Sequence, residues 1–405
     1  MKTARMIKRL SCLLLCAVML TGCNPGQRDY GDEYVFEQDD QIVVIRSLGP
    51  NATMARAENG YFFYRPGSPF VFFWPGGDSQ AKPICGKPNC LHEKETDREK
   101  RKECDAFILS EGIGKTIVYN NSRLYYTQGF SENIYDEQGN QIGFTTHYEL
   151  WEMSADGTGR KSVCRLDGEP SSFIIHRGFL YYTYGEYPEL SPEGEQIGER
   201  KAYVCKVNLN AWNKDTEVLC EKSAWDVQYE KLTAKGNEVY FVERKSPEGA
   251  QASETALMKY NIMTGEINQI LSGVSTYGFH GNQLVYYKDL QIFLADSDGG
   301  NGKKLADFNG NMSADEDYIY LDDLSGELDD RTFSIMDYNG KVLQTLTLTN
   351  YDKGCFSSND EYLFFKDMVD DYQTSVIYAA KKSQIESGEP LELVKLYESP
   401  AVNEF

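Results

Sequence analysis

Three cysteines and one histidine lie close together in this 405-residue chain, and their side chains are of the kind that bind zinc. The segment begins as Cys85-Gly-Lys-Pro-Asn-Cys90-Leu-His92 and ends at Cys104. Three thiolates and one imidazole form the Cys3His ligand set of tetrahedral structural zinc sites. Pro88-Asn89 predicts a turn that brings Cys85 and Cys90 together. The sequence therefore predicts a structural zinc site at these four residues.

Two other states of these thiols stay open. Two of the three cysteines could form a disulfide in an exported chain, which would leave His92 incidental, or all three could stay reduced without a ligand. The stretch from Lys94 to Lys102 is almost wholly charged and has no core of its own, so a cross-link is needed to hold it. Seven cysteines follow Cys23, and an odd number cannot all pair within one molecule. Cys205 and Cys220 flank one predicted hairpin, where they could form a cross-strand pair.

The first 23 residues have the layout of an export signal. A basic start (Lys2, Arg5, Lys8 and Arg9) precedes an apolar run from Leu10 to Leu20 that is too short to span a membrane. Leu20-Thr21-Gly22-Cys23 matches the lipobox of bacterial lipoproteins, which implies cleavage after residue 22 and diacylation of Cys23. Two acyl chains give stable anchoring, where one binds only reversibly. We therefore expect a signal peptide over residues 1–22, a flexible tether over 23–40, and a lipid-anchored protein on the extracytoplasmic side of the cell membrane.

The chain is strongly acidic. Its formal net charge is -21, and removal of the four basic residues before Cys23 takes it to -25. Phosphate backbones repel such a body, so nucleic acid is excluded as a partner. The membrane, through the lipid on Cys23, and an envelope protein, peptide or glycan are the partners we expect.

One aromatic pattern recurs along the rest of the chain and predicts repeated strands. Each copy is a polar or glycine turn, then a large apolar residue, then two aromatic or branched residues. The intervals between successive copies after the first are in the range expected of propeller blades with variable loops. The seven copies begin at Gly60, Arg123, Phe179, Glu238, Leu284, Tyr318 and Tyr362. A second strand pattern and a turn such as Asp156-Gly157, Thr264-Gly265, Asp298-Gly299 or Asn339-Gly340 follow several copies. We therefore predict an all-β fold: a single β-propeller of four-stranded antiparallel blades over residues 41–399.

The blade number expected is seven. Six or eight remain open because Ile42-Val43-Val44-Ile45 could be an extra or closing strand. The Cys/His segment at 85–104 is an insert in this propeller, residues 400–405 form a tail, and only Ser383 to Gly388 could hold a helical turn.

These repeats resemble those of TolB-like and low-density-lipoprotein-receptor-type propellers. They are more similar still to propeller lipoproteins of Gram-positive anaerobes, and the resemblance covers roughly residues 55–399. The resemblance implies the propeller fold. It also implies that the Cys-x4-Cys-x-His…Cys motif is a structural cross-link without a catalytic role. Propellers serve binding, scaffolding and catalysis alike, so the fold alone implies no activity.

The sequence contains no recognisable catalytic motif. His147, His176 and His280 lie beside predicted strands or turns without a nucleophile motif nearby, and are interpreted as core or turn residues. The acid pairs Asp322-Asp323, Asp329-Asp330 and Asp370-Asp371 could in principle cleave a glycosidic bond. Trp74, Tyr184, Tyr187 and Trp212 could stack on sugars or peptide, or pack within blades.

We therefore predict no catalytic residue and a non-catalytic binding or scaffolding lipoprotein of unknown ligand, with structural zinc as its only candidate cofactor. The alternative is a carbohydrate-active or peptidase-like enzyme that uses carboxylates in the channel.

Overall fold

The computed structural model describes residues 54–64, 69–108, 116–136, 138–191, 196–250, 252–323, 331–348, 354–369 and 374–399. These residues form a seven-bladed β-propeller of four-stranded antiparallel sheets, so the predicted fold class and blade number are confirmed. The lipobox with Cys23, the tether, Ile42 to Ile45 and the tail at 400–405 lie outside the described residues, and the expectations for them stay predictions.

Each blade contains four strands that follow one another in the chain. Blade 1 consists of β1 (Met54–Ala57), β2 (Gly60–Tyr64), β3 (Val71–Trp74) and β4 (Lys82–Pro83), and blade 2 of β5 (Ile117–Asn120), β6 (Arg123–Tyr135), β7 (Gln141–Ser154) and β8 (Lys161–Leu166). Blade 3 consists of β9 (Pro170–His176), β10 (Phe179–Glu186), β13 (Arg200–Asn208) and β14 (Thr216–Ala224). Between its second and third strands lies a separate two-stranded hairpin of β11 (Glu189–Leu190) and β12 (Gln196–Ile197). The strands of blades 4 to 7 are β15 (Asp226–Lys235), β16 (Glu238–Ser246), β17 (Glu254–Asn261), β18 (Ile267–Ser272); β19 (Val274–His280), β20 (Gln283–Lys288), β21 (Gln291–Asp296), β22 (Lys303–Asp307); β23 (Gly310–Ala314), β24 (Ile319–Asp323), β25 (Arg331–Met336), β26 (Val342–Leu348); β27 (Gly354–Ser358), β28 (Tyr362–Val369), β29 (Thr374–Lys381) and β30 (Val394–Glu398).

The seven aromatic repeats all fall on strands, as predicted, and in each blade that strand is the second. In blade 3, Leu180 and Tyr182 pack in a cluster with residues of blade 2, whereas Tyr181 packs in a cluster with residues of blade 4. Successive side chains of a strand point to opposite faces. Both faces of the strand are therefore buried between neighbouring blades, and this explains why the repeat is a continuous apolar run.

The predicted tight turns between third and fourth strands are present. Gly157, Gly265, Gly299 and Gly340 have φ values of +80°, +74°, +83° and +87°, a region that costs glycine little. In an antiparallel blade the turns between third and fourth strands lie on one face of the ring, and those between second and third strands lie on the other.

Blades 1 and 7 meet without sharing a strand. Within the described residues, blade 1 consists only of β1 to β4 and blade 7 only of β27 to β30. Ring closure therefore depends on side chains and a few backbone contacts across this junction, which we call the seam.

Helices are few and short. The described residues contain α1 (Arg98–Lys102), α2 (Ser383–Ser387), where a helical turn was predicted, and a 3-10 turn at His92–Lys94. Neither α-helix has the length or the apolar character needed to cross a bilayer.

Candidate metal centre

The Cys/His segment is a loop that projects from the outer strand of blade 1. The backbone N–H of Ile84 donates to the carbonyl of Val71 at 3.2 Å, and the N–H of Val71 donates to the carbonyl of Ala106 at 2.8 Å. The chain therefore leaves the sheet just after β4 and returns at Ala106, and both ends of the excursion are hydrogen-bonded to Val71 of β3. We call residues 85–104 the insert.

The insert brings together all four residues that the sequence singled out. One sulfur or nitrogen atom from each of Cys85, Cys90, His92 and Cys104 lies within 4.8 Å of all the others. His92 Nδ1 is 3.4 Å from Cys104 Sγ. Ligand atoms of a tetrahedral zinc site at ordinary bond lengths are about 3.5–3.8 Å apart, so a contraction of about 1 Å or less would complete the coordination geometry.

Backbone geometry holds the sulfur atoms in place. Asn89 adopts φ +62° in the predicted turn, a region that asparagine tolerates, and the N–H of Cys90 donates to the carbonyl of Lys87 at 3.4 Å. Backbone N–H groups of Lys87 and Asp105 donate to Cys85 Sγ. Hydrogen bonds of this kind stabilise negative charge on sulfur and orient a ligand.

The pKa values of the cluster differ in direction. Burial opposes ionisation of Cys85, but the backbone N–H groups of Lys87 and Asp105 and the neighbouring thiols outweigh it, so the pKa of this thiol is lowered. Burial, reinforced by Cys90 and Cys85, raises the pKa of Cys104 to about 12. Burial lowers the pKa of His92, which favours the neutral imidazole.

Blade 2 contacts the insert directly. Arg160 donates to the carbonyl of Cys104 at 3.1 Å and also to that of Asp105. A Cβ added to Gly157 would lie 2.2 Å from the carbonyl oxygen of Asp105, so only glycine fits this contact. The Lys87 ammonium pairs with the Asp105 carboxylate at 2.7 Å. The C-terminal end of the insert is therefore fixed against blade 2.

No disulfide joins any of the seven cysteines among the described residues. Cys205 and Cys220, which could have formed a cross-strand pair, are not opposite each other, because a bulge in the β13–β14 ladder pairs Cys205 with Val218 and Cys220 with Val204. The Cys220 thiol instead lies 3.0 Å from the Tyr229 hydroxyl.

The other three histidines each have a structural partner, and of the three only His176 is a core residue. His176 is buried, and its Nε2 lies 2.8 Å from the carbonyl oxygen of Gly236. His280 stacks on Tyr338 with ring centroids 4.0 Å apart. His147 stacks on Phe130 with ring centroids 5.2 Å apart.

The acid pair that can be described is held in a structural contact. Asp322 is buried and forms a two-point ion pair with Arg331, with Nε 2.6 Å from Oδ1. Asp329-Asp330 and Asp370-Asp371 lie outside the described residues.

A buried carboxylate that the sequence did not single out joins blades 6 and 7. Asp315 accepts hydrogen bonds from the Tyr320 hydroxyl at 2.6 Å and from the Ser358 hydroxyl, and pairs with the Lys382 ammonium at 2.7 Å. Both members of the ion pair are buried. In the sequence Asp315 lies in an ordinary polar turn, and nothing in that pattern indicated an ion pair between two blades.

Of the four aromatics proposed for stacking, Trp74 and Tyr184 are buried in the blades, whereas Tyr187 and Trp212 are exposed. Tyr187 follows the second strand of blade 3, and the Arg200 guanidinium lies 4.3 Å from its ring centroid. Trp212 lies on the opposite face, in the connection between β13 and β14.

A two-stranded ribbon projects from blade 2 on the same face as Tyr187. We define the ribbon as residues 129–147, the distal part of β6 and β7. Pairing of β5 ends at Tyr126 and pairing of β8 begins at Tyr148, so no third strand among the described residues pairs with the ribbon. The sequence analysis did not predict this extension of the second and third strands.

The ribbon exposes apolar side chains that the sequence analysis did not identify. Tyr135, Ile142 and Phe144 are 58%, 65% and 68% exposed. Residues 129–147 contain three carboxylates and no lysine or arginine, and residues 185–199 of blade 3 contain five and none. By sequence these two segments are therefore rich in carboxylates, and the ribbon also exposes apolar side chains.

The sequence matches no protein-family model and no curated protein. Among solved structures, the fold is similar to a chain of the nidogen/laminin complex, at 10% identity and a TM-score of 0.36, over 69% of this chain and 91% of that one. It is also similar to an acylaminoacyl peptidase in complex with Z-Gly-Gly-Phe-chloromethyl ketone, at 11% identity and a TM-score of 0.49, over 87% of this chain. The present chain spans 52% of that peptidase and 62% of Porphyromonas gingivalis dipeptidyl peptidase 4, to which it is 10% identical with a TM-score of 0.43, over 90% of this chain. At these identities the likeness concerns the fold alone.

Proposed function

We propose that this protein is a lipid-anchored, extracytoplasmic binding protein with a non-catalytic propeller, and that it captures a cationic, partly apolar polypeptide segment. The observation that carries this proposal is the ribbon. Its exposed Tyr135, Ile142 and Phe144 stand in a stretch with three carboxylates and no lysine or arginine. Exposed apolar groups of this kind mark interaction surfaces.

Charge supports the choice of partner. The carboxylates of the ribbon and of residues 185–199 attract lysine and arginine side chains and repel acidic ones. The net charge of the whole chain acts in the same direction and speeds the encounter with a cationic partner.

Backbone geometry supports an extended partner. A two-stranded ribbon is marginally stable by itself, and its outer edges offer backbone N–H and C=O groups to an added strand. A peptide that pairs with such an edge gains main-chain hydrogen bonds, and its alternate side chains reach the apolar residues of the ribbon.

Anchoring in the proposal rests on the lipobox at Leu20 to Cys23. The acidic tether over residues 23–40 would let the propeller reach partners near the membrane while the protein stays on the extracytoplasmic side.

Peptide binding tests the proposal. The probes are a labelled peptide of alternating lysine and valine and a length-matched peptide of alternating glutamate and valine, measured by fluorescence anisotropy. The lysine peptide should bind, and binding should weaken as ionic strength rises, because salt screens exposed charges. The ribbon variant Tyr135→Ser/Ile142→Ser/Phe144→Ser should weaken binding at least about tenfold, since each lost apolar contact contributes on the order of 1 kcal/mol.

The matched control is Trp212→Ser/Met263→Ser, which removes similarly exposed side chains from the opposite face. It should change the affinity less than about twofold. Equal binding of the glutamate peptide, or equal effects of the two variants, would contradict the assigned surface. Turnover of a peptide or glycan library by the purified protein would contradict the non-catalytic assignment.

A further inference from the structure

The seam between blades 1 and 7 joins two blades that are not consecutive in the chain, and no described strand is shared across it. Aromatic rings make most of its contacts. Trp74 lies against Tyr362, with ring centroids 4.9 Å apart, and Phe72 lies against Tyr397 at 4.5 Å. The N–H of Ala81 donates to the carbonyl of Leu396 at 3.0 Å.

The insert reaches across this seam. The Tyr397 hydroxyl, on the last strand of blade 7, donates to the Glu93 carboxylate, with both oxygens at 2.7 Å. Glu93 directly follows His92 in the chain, and Cys104 belongs to the same buried cluster as Phe72 and Tyr397. The cluster of thiols and imidazole is therefore coupled to the seam both by a hydrogen bond and by packing.

The part of the insert that follows Glu93 has no apolar core of its own. Residues 94–102 carry no apolar side chain, and neither the 3-10 turn at His92–Lys94 nor α1 contains a buried residue. His92 has φ +51°, a region that is strained for a residue other than glycine. A strained backbone in a segment without a core needs another source of order.

We propose that Cys85, Cys90, His92 and Cys104 bind one Zn²⁺ ion, and that the metal closes the ring by holding Glu93 against Tyr397. The convergence of all four ligand atoms carries the metal assignment, because a disulfide would use only two thiols and would give His92 no role. Donation of backbone N–H groups to Cys85 Sγ fits a thiolate ligand. The zinc thus fastens the first blade to the last, independently of what the ribbon binds.

Metal analysis of the purified full chain tests the site. Elemental analysis should find one zinc per chain, and Co²⁺ added to the chelated, reduced protein should give the visible absorption of tetrahedral thiolate-bound cobalt. Cys104→Ser should lose the metal. Cys164→Ser, which changes another buried cysteine outside the insert, should keep it.

Hydrogen exchange tests the role at the seam. Removal of zinc should speed amide exchange in β30 about tenfold or more, because the strand loses a hydrogen bond to a charged group. Exchange in blades 3 to 5 should change less than about twofold. Tyr397→Phe keeps the ring packing but removes the hydroxyl. It should keep the zinc while reducing the response of amide exchange in β30 to the metal, because only the coupling by packing remains.

Three results would overturn the inference. A zinc-free protein in which two of the three insert thiols are oxidised to a disulfide refutes the metal site. Bound zinc whose removal leaves β30 unchanged refutes the closure role. A Tyr397→Phe protein with the metal response of the parent refutes transmission through Glu93.

Discussion

The substitution Asp315→Asn tests whether a buried ion pair joins blade 6 to blade 7. It keeps the shape of the side chain but removes the charge that pairs with Lys382 at 2.7 Å. Removing one partner of a buried pair costs about 3–5 kcal/mol, because the other charge stays buried. Asp317, which also lies 2.7 Å from the Lys382 ammonium and is about half exposed, offsets part of this loss. We therefore expect the free energy of unfolding to fall by about 2–4 kcal/mol.

Urea unfolding, followed by tryptophan fluorescence and by circular dichroism, measures this change. The double variant Asp315→Asn/Lys382→Met removes both charges and should recover at least about 1.5 kcal/mol relative to the sum of the two single changes. Lys304→Met is the control, because its ion pair with Asp307 is exposed and should contribute less than about 1 kcal/mol. A loss below about 1 kcal/mol for Asp315→Asn, or additive effects of the two single changes, would refute the reasoning.

Three further predictions concern other parts of the chain. Burial lowers the pKa of Lys231 to about 8, against 10.5 for the unfolded chain, so the unfolded state binds more protons between these values and the free energy of unfolding rises with pH there. Lys231→Met should abolish that rise and increase the free energy of unfolding by about 1–3 kcal/mol at neutral pH. Urea unfolding at several pH values across this range measures both effects, and an unchanged dependence of the free energy of unfolding on pH would contradict the prediction. Gly157→Ala should lower the free energy of unfolding by at least about 2 kcal/mol and make the insert more sensitive to proteases, because the added Cβ meets Asp105. Gly265→Ala, with a similar φ and open space around its Cβ, should lower it by only about 1 kcal/mol, and equal losses would argue against the contact. Cys23→Ser should move the protein from the membrane fraction to the soluble fraction and abolish incorporation of labelled palmitate, and retention in the membrane would contradict the anchor.

The sequence was informative wherever a local pattern determines structure. All seven aromatic repeats lie on second strands, because a strand packed on both faces must be apolar at consecutive positions, as at Leu180, Tyr181 and Tyr182. The four glycine turns were predictable because positive φ has a strong residue preference. The cluster in the insert was predictable because its ligands lie within one short loop.

Contacts between distant segments could not be predicted in this way. The ion pair between Asp315 and Lys382 joins two blades, and its carboxylate lies in a polar turn like many others. The bond from Tyr397 to Glu93 spans 304 residues. The ribbon was missed for a different reason: Ile142 and Phe144 alternate with other residues like those of a half-buried strand, and only the three-dimensional structure shows that both are exposed among the described residues.

The seam also determines the order in which the ring can assemble. Every other interface joins blades that are consecutive in the chain, so it can form once two neighbouring blades exist. The seam needs β30, so the apolar edge of blade 1, with Trp74 and Phe72, stays uncovered until the last blade has folded. Such an intermediate is open to aggregation for as long as it lasts. A circular permutant that links blade 7 to blade 1 and opens the chain between two other blades would make the seam a junction of consecutive blades and would move the late step of folding elsewhere in the ring.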